Sequence, residues 1–126
     1  MTVKHNMITL VIMKLVFLYH PVKDLPAALA FYRDELGWDE AWREGDSTIA
    51  MQIPGSEVQV MLDGTDADSP HGASGFYEVE DVDRFLADHG ERVNVVEAPV
   101  DLAPIRYASF TDPSGNLFRI FHNLPE

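Results

Sequence analysis

Two tetrapeptides constrain this chain more than any other feature. Val22-Lys23-Asp24-Leu25 and Val79-Glu80-Asp81-Val82 are close echoes of each other. Each follows a β-prone run, residues 14–20 or 74–79, and each opens a helical pattern. Asp24 and Asp81 suit helix N-caps, and Pro26 suits a first turn. Leu25, Leu29, Tyr32 and Leu36 recur at helical spacing in the first half, with Gly37 as the stop. Val82, Phe85 and Leu86 do the same in the second, with Gly90 as the stop. Three short strands are predicted after the first helix, near 38–44, 47–53 and 57–63, and three after the second, near 92–97, 104–110 and 116–122. Residues 64–73, GTDADSPHGA, read as a connector. The chain is therefore an α+β protein written as βαβββ twice. One helix cannot cover both faces of its own sheet, so two such units must share a core, and together they enclose a concave space.

The length of 126 residues fits one domain, with module one at 14–63, module two at 74–122 and the whole at 13–126. No cysteine is present, which removes disulfides and thiolate metal sites and is compatible with a reducing cytoplasm. Nine basic residues against 21 acidic ones give a formal charge of −12. Such a surface repels phosphate backbones and anionic lipid, so neither nucleic acid nor membrane is an expected partner. The apolar run Met7–Met13 is shorter than the roughly 20 residues a membrane span needs. Lys14 interrupts it, and no small-residue cleavage site follows. Residues 1–12 read as an extension: upstream of a start at Met13, or an added edge strand or dimer arm.

Three motifs resemble one family. Val22-Lys23-Asp24-Leu25, Phe31-Tyr32-Arg33-Asp34 with Leu36-Gly37-Trp38, and Asp112-Pro113-Ser114-Gly115-Asn116 occur in order around the doubled unit. Together they resemble the vicinal oxygen chelate superfamily, the glyoxalase, bleomycin-resistance and extradiol-dioxygenase group, over about residues 14–122. The resemblance implies a cup-shaped mixed sheet in each module with ligands bound inside. It also implies one divalent metal held by four ligands from the first and last strands of each module. Those positions fall here on Phe17, Gln59, Ser74 and Arg119. Phenylalanine cannot coordinate, and serine and glutamine are weak ligands without carboxylate or imidazole company. Arginine stays positive and offers donors only. Neither a metal nor any other cofactor is expected, and an organic cation is expected near the usual metal position.

Strand alternation puts Ser74, Phe76 and Glu78 on one face, Phe17 and Tyr19 on another, and Leu117, Arg119 and Phe121 on a third, all facing the cup. The predicted ligand-binding set is Phe17, Tyr19, Trp42, Gln59, Ser74, Phe76, Glu78, Tyr107, Arg119 and Phe121. Arg119 either pairs with Glu78 or reads an acidic group on a ligand. Glu78 is the one candidate general base. Tyr19 and Tyr107 are candidate hydrogen-bond donors, Trp38 is expected under the first helix and Trp42 at the cup rim. His20 and His122 have the opposite parity and should face the helices. These features favour a metal-free protein of the bleomycin-resistance type, dimeric and cytoplasmic, holding a small organic molecule. The alternatives are a lyase, isomerase or dioxygenase with displaced ligands or Glu78-based chemistry, and an interaction module whose cup is filled by side chains.

Overall fold

Each half of the chain runs strand, helix, three strands in the computed structural model, which describes residues 12–65, 67, 68 and 70–126. The expected extension at 1–12 lies outside the described residues up to residue 11. Strand β1 (Lys14–Pro21) leads into α1 (Leu25–Ala30), which continues as a π-helical turn at Phe31–Glu35. Strands β2 (Asp39–Glu44), β3 (Thr48–Gln52) and β4 (Gln59–Asp63) complete the first half. The second half comprises β5 (Ser74–Glu78), α2 (Val82–His89), β6 (Asn94–Leu102), β7 (Ile105–Thr111) and β8 (Leu117–Asn123).

The helices start where the side chains compete best for free N–H groups. Asp24 accepts from the Ala27 N–H at 2.9 Å, and Asp81 accepts from the Arg84 N–H at 3.1 Å. The first helix ends in a wider turn than its spacing predicts. The Leu36 N–H reaches the Phe31 carbonyl, five residues back, and Gly37 then turns the chain with φ 75°. The extra residue rotates Leu36 off the apolar stripe, so it is 44% exposed instead of joining the core.

All eight strands form one sheet in the order β2-β3-β4-β1-β5-β8-β7-β6. Within each half the first and last strands run parallel, and the halves meet as an antiparallel β1–β5 ladder. Each helix covers its own half. Ile49, Met51, Val60 and Leu62 pack with Leu25, Leu29, Tyr32 and Trp38 under α1. Val79, Val82, Phe85, Ala108, Phe110 and Ile120 pack under α2. A third cluster, Tyr19, Phe76, Tyr107 and Phe121, forms on the opposite, concave face across the seam between the halves.

Strand β6 runs five residues beyond the expected end at 97. Proline is tolerated on an edge strand, where no ladder partner needs its missing N–H. Pro99 sits on such an edge, within a stretch where the register against β7 shifts twice, at Val95/Glu97 and Glu97/Val100.

Candidate functional site

The concave face holds a cavity of about 600 Å³ built from both halves of a single chain. Phe17 and Tyr19 enter from β1, Phe76 from β5, Tyr107 from β7, and Arg119 and Phe121 from β8. Alternation explains the set, since side chains two apart share a face. The rings touch in sequence. Phe17 meets Trp42 edge-on at 5.8 Å and Phe76 at 6.2 Å, and Phe76 meets Phe121 at 5.4 Å and Tyr107 at 5.5 Å. Trp42 is among the residues lining the cavity, and its indole N–H donates to Gln59 Oε1 at 2.9 Å.

Arg119 is only 8% exposed. A charge so buried requires partners. Its Nε donates to Ser74 Oγ and its Nη1 to the Tyr107 hydroxyl, both at 2.9 Å. Its guanidinium carbon lies 4.3 Å from the centre of the Tyr19 ring, a cation–π contact. Both tyrosines pass the interaction on to carboxylates. Tyr107 donates to Glu97 Oε1 at 2.6 Å, and Tyr19 donates to Asp63 Oδ2 at 2.6 Å. Ser109 adds a second bond to Glu97 Oε1 at 2.7 Å, and Thr65 adds two to Asp63 Oδ1.

These bonds set the proton affinities. Burial pushes Asp63 upward, but the bonds from Tyr19 and Thr65 and the charge of Arg119 outweigh it and hold the carboxyl below its ordinary value. Glu97 behaves the same way. Burial raises it, while Tyr107, Ser109, Arg119 and the connector residue His71 bring it below normal. Burial, and then the bond to Glu97, push the Tyr107 hydroxyl up to about 12, so it stays a neutral donor near pH 7.

Three expected residues stand elsewhere. Glu78 does not partner Arg119 and does not line the cavity; it accepts from Asn123 Nδ2 at 3.3 Å. The register accounts for this correction. Phe76 is opposite Arg119 and Glu78 is opposite Phe121, one full pleat further along. Gln59 sits opposite Phe17 but also lies outside the lining, its carboxamide engaged by Trp42 and Gln52. Ser74 acts behind the wall, as the anchor of Arg119. Conversely, Asp63 and Glu97 were missed. Asp63 follows Gln59 and Met61 by simple alternation and was open to discovery. Glu97 lies between the two register shifts of β6, where parity counting fails. His20 and His122 do face the helices: His20 Nδ1 bonds the Tyr32 hydroxyl at 3.1 Å, and His122 Nδ1 accepts from the Val82 N–H at 2.9 Å.

Phenyl, carboxamide, hydroxyl and guanidinium groups do not make a site for a divalent metal. Among the described residues no group of three or more histidine, aspartate or glutamate side chains is placed to hold one elsewhere.

The doubled βαβββ sheet encloses a cavity on its concave face, and the family model for the Glyoxalase/Bleomycin resistance protein/Dioxygenase superfamily matches residues 14–120. The chain belongs to that superfamily. Solved structures agree on the fold. A superfamily member from Vibrio splendidus 12B01 has a TM-score of 0.70 at 18% identity, covering 90% of this chain and 100% of that one. Methylmalonyl-CoA epimerase from Mycobacterium tuberculosis has a TM-score of 0.65 at 22% identity, covering 89% of each chain. A protein described as NAD-dependent benzaldehyde dehydrogenase from Legionella pneumophila has a TM-score of 0.71 at 16% identity, covering 85% of this chain and 97% of that one. No curated protein matches the sequence. The differing descriptions on one scaffold illustrate that the fold alone does not assign an activity.

Proposed function

We propose that this protein binds a small organic molecule in the aromatic cavity, without a divalent metal at the superfamily's usual position. The observation that carries this reading is the cluster of Ser74, Arg119 and Tyr107. A permanent positive charge fixed there repels a metal cation and has no lone pair to offer. The cavity volume of about 600 Å³ is in the range of drug-sized ligands, and its walls are mainly apolar, with aromatic rings from both halves and several polar groups among them.

Binding is favoured over catalysis because the lining is poor in groups poised for proton transfer. Asp63 and Glu97 are held below the ordinary carboxylate range and are weak bases, and Tyr107 is held as the neutral phenol. Glu78, the base of the enzymatic alternative, lies outside the lining. Methylmalonyl-CoA, named for several structural neighbours, is a multiply charged anion, and among the described residues three carboxylates line the cavity against one guanidinium. We therefore do not carry that substrate over.

The remaining alternative, an enzyme with displaced metal ligands, is separated by metal analysis of protein purified without chelator, alongside a thermal-shift screen of organic compounds. The expected result is far less than one metal per chain, with ligand-induced stabilisation unchanged by a chelator. One tightly held equivalent of zinc, iron, manganese or nickel would overturn the proposal.

We also take residues 13–126 as the domain and the reducing cytoplasm as its compartment. No helix among the described residues is long and apolar enough to cross a membrane. A homodimer is inferred from the long edge strand β6, which carries Val95, Val96, Val100 and Leu102 with 40–53% of their surface exposed.

A further inference from the structure

We propose that the ligand is a flat aromatic cation, its positive group seated on Glu97. This rests on the binding reading above and adds the ligand's charge and its anchor. An inward arginine suggests an acidic ligand at first sight, but the bonding pattern argues the reverse. Arg119 is buried and already engaged by Ser74, Tyr107 and the face of Tyr19. Arg119 does line the cavity, but its Nε and Nη1 point their hydrogen bonds at Ser74 and Tyr107, and the two tyrosines in turn bond carboxylates that also line the space.

Glu97 differs from Asp63 in one decisive respect. Both oxygens of Asp63 accept bonds from the protein, Oδ2 from Tyr19 and Oδ1 from Thr65. On Glu97, Tyr107 and Ser109 both converge on Oε1. The carboxylate is thereby fixed in orientation and kept ionised, with His71 close enough to favour its charged form, while Oε2 accepts no side-chain bond from the other described residues and is the acceptor proposed for a group from outside. An ammonium there gains a charge-assisted hydrogen bond. Glu44 at the same cavity adds negative potential, and the chain's formal charge of −12 extends it outward. The rings of Phe17, Trp42, Phe76 and Phe121 supply apolar walls for an aromatic body and π-faces that tolerate positive charge. The same lining repels a carboxylate or phosphate ester.

The test uses a matched series on one ring system: tryptamine, its uncharged analogue ethylindole, and indolylpropionate. Binding to the full-length protein is followed by calorimetry and thermal shift at about pH 8, where imidazoles are mostly neutral. Tryptamine should bind about tenfold more tightly than ethylindole, with indolylpropionate weakest. Glu97→Gln retains an acceptor for Tyr107 and Ser109, and circular dichroism confirms that the variant is folded. It should lose about that tenfold advantage for tryptamine and leave ethylindole unchanged. Added salt should weaken tryptamine alone. Equal affinity across the series, or tightest binding of the carboxylate, overturns the cation assignment while the binding cavity stands. No binding or stabilisation by any member, even at millimolar concentration, overturns both.

Discussion

At the scale of the residue, Arg119 acts as a buried counter-ion that two tyrosines connect to two carboxylates. The sign of its effect on acid stability follows. Asp63 and Glu97 have folded-state values below their unfolded ones, so the stability they contribute is complete above the ordinary carboxylate range, near 4, and is lost as pH falls through the lower folded values. Urea unfolding followed between about pH 2 and 5 should show a shallower decline for Glu97→Gln than for the wild type. Arg119→Met should cost about 1–3 kcal/mol at neutral pH and also flatten that decline, because both carboxylates lose their cationic neighbour. Parallel slopes in all three proteins would show that the cluster does not couple to folding. Alternation alone places Phe17 with Tyr19, and Arg119 with Phe121, on common faces, and the β5–β8 and β7–β8 ladders around Phe76, Arg119 and Phe121 run without a register shift. Glu78 was misjudged for want of register: parity names a side chain's face but not its height along the neighbouring strand.

At the scale of the element, local chemistry was readable wherever it was self-contained. Asp24, Asp81, Gly37 and the Asp112–Asn116 turn behave as their residue types dictate. In that turn the Asp112 carboxylate accepts from the Ser114 and Asn116 N–H groups, and Gly115 takes φ 91°. The π-helical closure of α1 and the length of β6 were hidden, since both depend on how the element meets its neighbours. Strand β6 also carries the dimer prediction. Light scattering across a wide concentration range should report a mass of two chains, and Val96→Lys should move it toward one, because an edge lysine opposes strand-to-strand pairing. A mass of one chain for the wild type throughout would remove β6 as an interface.

At the scale of the whole molecule, the doubling is the dominant fact. The pattern βαβββ written twice was visible in the sequence, but how the two copies join was not, because that depends on main-chain pairing and not on side-chain type. They join edge to edge through β1 and β5, with Phe17 opposite Phe76 and Tyr19 opposite Ser74. The cavity straddles that seam. A chain cut within residues 70–73, which are exposed, should therefore remain associated. Gel filtration of the nicked protein should show both fragments co-eluting, with the ligand-induced rise in Tm preserved. Separation of the fragments under native conditions would mean that the ladder alone is too weak to hold them.

Any guest in the cup consequently works as a mortise pin. It grips two structural repeats at once, so its departure loosens the joint between them, and occupancy should be readable as resistance to pulling the halves apart.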